Sequence, residues 1–363
     1  MHELPPSADI AIIGAGVVGL AVAYRLSSLG KSIVVVDKEM GPGKGVTAGQ
    51  ANVIHVIQLP FGSLKSRLAR RGNLMYDDLC KELGVRLSRM PAILVVRRWL
   101  TTPALLATYA YLKMGLGKDF RVRMMRGSRL REIEPLLAKG VIGGLVVDGY
   151  GTVDVRALVS RLADASAARG VEFVFGCRVT GAESNDEVTT LKTSCGELKA
   201  SLVINAAGLY SGEVAAVLGS DHGELKPGLG VMAVYSGLPI HCIVAPLPLA
   251  VRSRTKGGAL IPATDGTTIA GPTLRATGSK DDGSYVEDDL SRLEAKFHPL
   301  LAAEGKLVRV YTGIRPLSPT KDFIIELDRH RRVVNLVGIE SPGLTAAPAI
   351  AEMVEHMTEE TNR

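Results

Sequence analysis

Residues 10–19 constrain this chain more than any other stretch. Ile10-Ala-Ile-Ile13 is a short apolar run without polar interruption, the pattern of a strand buried on both faces. Gly14-Ala-Gly16-Val-Val-Gly19 follows at once, and Leu20-Ala-Val-Ala-Tyr-Arg-Leu26 continues at helical spacing until Gly30 stops it. Ser32-Ile-Val-Val-Val36 reads as a second strand, closed by Asp37. Strand, G-x-G-x-x-G, helix, strand and acid in this order are the fingerprint of a dinucleotide-binding unit. Gly14 permits the tight turn, Gly16 lets a pyrophosphate approach the backbone, and Gly19 lets the helix pack closely on the strand. The helix N-terminus offers unpaired N–H groups to phosphate. Asp37 is placed to accept from both ribose hydroxyls, and its charge disfavours a 2′-phosphate.

Composition narrows the remaining classes. With 363 residues the chain is expected to form one large or two interlocked domains. Lys and Arg number 43 against 37 Asp and Glu, a formal charge of +6 that suits an anionic ligand but argues for no nucleic-acid partner. Cys80, Cys177, Cys195 and Cys242 form no C-x-x-C pair, and the histidines show no metal-binding spacing, so no metal site is expected. The apolar run from Ile10 to Tyr24 is shorter than the roughly 20 residues of a membrane span. A cytoplasmic protein is expected, with attachment at the inner face of the cell membrane left open by the basic clusters Arg67–Arg71, Arg121–Arg131 and Arg329–Arg332.

Nucleotide-type patterning recurs along the chain. Thr152-Val-Asp-Val155 leads into a helix over about 156–169 and a strand at Val171–Phe175. Leu202-Val-Ile-Asn-Ala-Ala-Gly208 is a strand running into a small-residue turn, followed by a helix near 213–218. Val333–Val337 is a strand, Gly338-Ile-Glu-Ser-Pro-Gly343 a turn, and 349–357 a helix. A dinucleotide domain assembled from discontinuous pieces is therefore expected, in an α/β (α+β overall) chain.

The glycine fingerprint, Val53-Ile-His55, Asn205-Ala-Ala-Gly208 and Ser341-Pro-Gly-Leu-Thr345 together resemble the D-amino-acid-oxidase-type FAD oxidoreductases, over nearly the whole chain. Lys256-Gly-Gly-Ala-Leu-Ile-Pro262, Gly313-Ile-Arg-Pro316 and Asp322-Phe-Ile-Ile325 look nearest to the branch of glycerol-3-phosphate dehydrogenases and L-2-hydroxyglutarate oxidases, and more like the former. One departure stands out: relatives usually carry Asn-Ser-Gly before Val-Ile-His, and this chain has Gln50-Ala51-Asn52. The resemblance implies a Rossmann-like FAD domain from about 1–85, 145–215 and 310–363, with an antiparallel-sheet substrate domain from 86–144 and 216–309. It also implies FAD contacts at Gly14, Gly16, Gly19, Asp37, Lys38, Thr47, Ala51, Val179, Ala207, Gly208, Gly313, Gly343, Leu344 and Thr345.

Oxidising a secondary alcohol on a flavin requires a base for the hydroxyl proton and cations to orient an anionic substrate. His55, interrupting an apolar stretch, is the candidate base; the alternative is a strand-edge histidine satisfied by a backbone carbonyl. Arg315, read as lying in a turn after a strand at 307–311, is the candidate phosphate or carboxylate clamp. Lys256 matches a lysine that meets substrate phosphate in relatives, and equally reads as part of a basic loop. Ser341 is a candidate donor to substrate or flavin, or a cap. The expected reaction is oxidation of sn-glycerol 3-phosphate to dihydroxyacetone phosphate by hydride transfer to flavin N5, with a quinone or other acceptor taking the electrons. L-2-hydroxyglutarate or another hydroxy or amino acid is the second reading, and a non-catalytic dinucleotide-binding subunit the third.

Overall fold

The computed structural model describes residues 3–185, 187–247 and 258–360. The two strands of the fingerprint, Ser7–Ile13 and Ile33–Asp37, lie side by side and parallel. Gly196–Asn205 and Val333–Val337 extend the parallel sheet on one side, and Glu172–Phe175 extends it on the other. Ile324–Asp328 closes one edge antiparallel, and the ribbon Val179–Ser184 with Thr189–Thr193 hangs from Gly196–Asn205. Alternate residues face opposite cores. Ile10, Ile12, Ile33, Val35 and Ile204 enter one cluster, while Ala11, Ile13, Val34, Val36 and Val203 enter another. A strand flanked by apolar packing on both faces has no use for polar alternation, which is why these segments are continuously hydrophobic.

The second sheet has ten strands. Gly143–Val153 pairs with Val53–Ile54, Leu87–Val96 and Val122–Arg126, and Lys226–Ser236 pairs with Thr268–Gly271, Arg275–Ala276 and Lys306–Leu317. Ile243–Pro246 joins the two halves; its pairing to Leu87–Val96 is parallel, and every other pairing described in this sheet is antiparallel. The strands Gly143–Val153 and Lys306–Leu317 hydrogen-bond here, so the chain returns to the parallel layer only after Val153 and after Leu317.

Three helices lock the layers together. Val17–Leu26 and Leu64–Leu83 both pack against the C-terminal helix Gly343–Glu360. Leu64–Leu83 is capped at both ends: Ser63 accepts from the Ser66 amide, and Gly84 closes it at φ 64°. The approach of its middle to the C-terminal helix demands glycine, since a Cβ on Gly72 would stand 2.1 Å from the Thr345 carbonyl oxygen.

Three expected elements differ. The last helix starts at Gly343 rather than near residue 349, because Gly343 and Pro348 obscure its first turns without ending it. The helix after Asn205-Ala-Ala-Gly208 is Ser211–Val217, entered through a 3-10 turn at Gly208–Tyr210. Arg315 lies on a strand, not in a turn: Lys306–Leu317 runs along Lys226–Ser236, with one shift of register between Val234 and Tyr235. Among the described residues that strand has one neighbour and so forms an edge, where Pro316 costs no ladder bond. Gly313 is there for space, as a Cβ would meet the Gly49 oxygen at 2.2 Å.

Candidate active site

The parallel strands, the loop 45–51, the strand carrying Arg315 and the start of the last helix enclose one cavity of about 1240 Å³. Ordinary small-molecule pockets run to roughly 300–1,000 Å³. This one has room for a dinucleotide and a second ligand. Of the residues expected at the site, Gly14, Gly16, Asp37, Lys38, Thr47, Ala51, His55, Val179, Ala207, Gly208, Gly313, Arg315, Ser341, Gly343 and Leu344 all line it. Lys256 lies outside the described residues. Gly19 and Thr345 are not on the wall.

The glycines form a cradle. Gly14 sits at φ +110°, and a Cβ on it would stand 2.4 Å from the Ala206 oxygen. Gly19 would collide with the Gly14 oxygen at 1.9 Å, so its work is to let helix and turn touch. The first turn of Val17–Leu26, where backbone N–H groups lack helical acceptors, opens on the cavity through Gly16, Val17 and Val18. Gly16 has no side chain to cap the helix, and Thr47 does so from across the turn, its Oγ1 accepting from the Val17 amide at 3.1 Å.

Asp37 braces the same turn. One carboxylate oxygen accepts from the Ala15 amide at 2.6 Å and the other from the Glu39 amide at 2.8 Å. A carboxylate has about four acceptor positions, so two remain for ribose hydroxyls. Burial pushes its pKa above the ordinary carboxylate value, against the pull of those two amides.

The replacement of Asn-Ser-Gly by Gln50-Ala51-Asn52 has a geometric answer. Asn52 sits at φ 62°, a left-handed conformation that asparagine tolerates better than most residues. Gln50 holds it there, Oε1 accepting from the Asn52 amide and Nε2 donating to Oδ1.

His55 is half-buried on the cavity wall with its backbone clamped from both sides. Its amide donates to Thr345 Oγ1 at 3.0 Å, and its carbonyl accepts from Asn73 Nδ2 at 2.9 Å. Thr345 also donates to the Val53 oxygen, and Asn73 to the Gly149 oxygen. The imidazole meets the Tyr150 ring edge-on at 6.2 Å. Thr345 is thus a support beneath the wall. Nothing in the sequence marks Asn73, which sits on a polar-looking helix 18 residues from His55.

Arg315 points its charge into the cavity and makes no hydrogen bond or ion pair with another described residue. Burial lowers its pKa from the usual arginine value, and the nearby Glu340 carboxylate opposes that fall. Glu340 is engaged elsewhere as well: Lys65, buried beneath it, lies at 3.4 Å and also donates to the Lys321 carbonyl. This Lys65–Glu340 pair lines the same wall, and 275 residues of separation hide it from sequence inspection.

The family model for FAD dependent oxidoreductases matches residues 9–357. The chain belongs to that family. It is 26% identical to glycerol 3-phosphate dehydrogenase of Caloramator mitchellensis, over 94% of this chain and 72% of that one. It is 28% identical to the mitochondrial L-2-hydroxyglutarate dehydrogenase of Arabidopsis thaliana, over 95% and 82% respectively. Its fold is similar to that of FAD-bound L-alpha-glycerophosphate oxidase of Mycoplasma pneumoniae, with a TM-score of 0.89, 23% identity, and 96% and 94% of the two chains covered. The cradle suits the cofactor of this family of oxidoreductases: a turn that excludes Cβ atoms, an N-terminal helix end and a spaced carboxylate meet on the wall of this cavity.

Proposed function

We propose that the chain oxidises sn-glycerol 3-phosphate to dihydroxyacetone phosphate, with the electrons passing on to a quinone or another acceptor. The observation that carries this reading is Arg315, a buried cation that makes no hydrogen bond or ion pair with another described residue, on the wall that also bears His55. Taking a secondary alcohol to a ketone removes a hydroxyl proton together with a hydride from carbon, and FAD bound in the cradle supplies the hydride acceptor.

The chain's own residues then have separate tasks. Arg315 holds the anionic group through the paired N–H donors of its guanidinium. Its environment is already desolvated, which strengthens that attraction relative to water. His55 takes the hydroxyl proton, its backbone fixed by Thr345 and Asn73 so that the imidazole does not drift. Gly14, Gly16 and the first turn of Val17–Leu26 would hold the pyrophosphate, and Asp37 the ribose. Lys38, Thr47, Ala51, Val179, Ala207, Gly208, Gly313, Gly343 and Leu344, all on the cavity wall, would hold the rest of the cofactor. The last helix begins on the cavity wall at Gly343, where its positive end would favour negative charge on a bound cofactor. Ser341, on the same wall, is assigned to the substrate side, and Lys256 to the phosphate.

L-2-hydroxyglutarate or a related hydroxy or amino acid is the second reading. It is favoured by the dehydrogenase relative and by the fact that Arg315 grips a carboxylate as readily as a phosphate. The two separate in an anaerobic panel in which each compound is added to the flavin-loaded protein and bleaching is followed. Glycerol 3-phosphate is expected to bleach fastest. Bleaching by a 2-hydroxy or amino acid, with none by glycerol 3-phosphate, overturns the proposal.

A further inference from the structure

The helix Thr102–Leu116 is apolar on two sides. Leu105, Leu112 and Leu116 face the core. On the outside Leu106 is 49% exposed and Met114 81%, and the turn leading into the helix leaves Trp99 74% and Leu100 68% exposed. Soluble surfaces rarely gather this much apolar side chain in one place without a use for it, and a helix apolar all round is normally covered.

Within the segment that carries the patch, the charge has one sign. From Leu83 to Lys118 the chain contains no acidic residue, and it carries Arg86, Arg89, Arg97, Arg98, Lys113 and Lys118. Arg97 and Arg98 stand exposed beside Trp99, and Lys113 and Lys118 stand exposed at the far end of the helix. None of these four makes an ion pair with another described residue. An apolar centre with unpaired cations at both ends complements a hydrocarbon surface under anionic headgroups. No helix among the described residues is long and apolar enough to cross a membrane, so the fit is to the interface. The inner side of the same helix reaches the cavity: Thr108 and Tyr111 line it, beside Leu59 from the facing loop.

We propose that this face docks the protein on an anionic lipid bilayer, with Trp99, Leu100, Leu106 and Met114 entering the headgroup boundary and Arg97, Arg98, Lys113 and Lys118 meeting phosphate. Docking there brings the Leu59–Tyr111 wall of the cavity towards the lipid. The proposal stands apart from the identity of the substrate.

Trp99 is the chain's sole tryptophan, so the patch carries its own reporter. Flavin-loaded full-length protein is mixed with vesicles of phosphatidylglycerol and phosphatidylcholine in equal parts, and separately with phosphatidylcholine alone. With the mixed vesicles, Trp99 emission is expected to shift to the blue and the protein to sediment with the lipid, both reduced by added salt. Leu100→Glu/Met114→Glu should weaken binding about tenfold or more, and Arg97→Gln/Arg98→Gln about thirtyfold, with flavin content and thermal midpoint unchanged. The proposal is overturned by no shift with the mixed vesicles, by binding that Leu100→Glu/Met114→Glu leaves intact, or by a blue shift that grows with protein concentration in the absence of lipid, which would make the occupant a second copy.

Discussion

Replacing Arg315 tests the site at the group with the fewest alternative explanations. It has no hydrogen bond or ion pair with another described residue and feels only the charge of nearby Glu340, so its removal breaks no such bond among the described residues, and the loss is expected in substrate handling. Its guanidinium is desolvated and offers paired donors to an anion. A hydrogen bond to a charged group contributes about 1.5–3 kcal/mol. Arg315→Ala therefore forfeits roughly 3–6 kcal/mol across two bonds, and at about 1.4 kcal/mol per decade kcat/KM falls about 10²- to 10⁴-fold. Arg315→Lys keeps the charge and loses the fork, so one bond is lost and the fall is roughly ten- to hundredfold. The assay is steady-state oxidation with an artificial dye as acceptor, alongside flavin content from the visible spectrum, which both variants should retain. A kcat/KM within about threefold of the parent for Arg315→Ala, on whichever substrate bleaches the flavin, refutes the reasoning, because so small a ratio is below the contribution of even one charged bond.

Three further outcomes follow from the same geometry. Gly72→Ala forces a Cβ against the Thr345 carbonyl, which belongs to backbone and must move; overpacking of this kind costs about 1–3 kcal/mol, and a thermal melt should show a midpoint lower by about 1–2 °C for each of these. Tyr210 donates to Asp281, and Lys280 pairs with Glu213, all at the end of the cavity that holds Asp37 and Lys38; Lys280→Ala/Asp281→Ala should hasten flavin release, followed by its fluorescence, roughly five- to fiftyfold. Burial pushes the Asp322 carboxyl up, yet the amides of Lys65, Leu64 and Phe323 and the Lys65 charge together hold it below its ordinary value. A depressed carboxylate stabilises the fold above the unfolded pKa and loses that contribution as pH falls through the folded one. Asp322→Asn should therefore lower the urea midpoint at neutral pH, and its difference from the parent should shrink below about pH 4.

The local part of this fold was legible in the order of residues. A strand buried on both faces, a turn that only glycine can make and a helix of small residues depend on neighbours in the chain, so the unit at 7–37 followed directly from its pattern. The wall residues matched to family motifs, His55, Gly208, Arg315 and Gly343 among them, do meet around one cavity. Backbone setting was less legible. The strand through Arg315 was hidden behind Gly313 and Pro316, because what tolerates them is an open edge and the closeness of Gly49, neither of which is local. The same holds for the supports of His55. Asn73, Thr345 and Tyr150 come from two helices and a strand of the ten-stranded sheet, and the Lys65–Glu340 pair joins the second and last helical regions. Short-range pattern encodes which elements form, since propensity and burial period act over a few residues. Which side chains share a wall depends on how far-apart elements pack, and that information is spread over the whole chain.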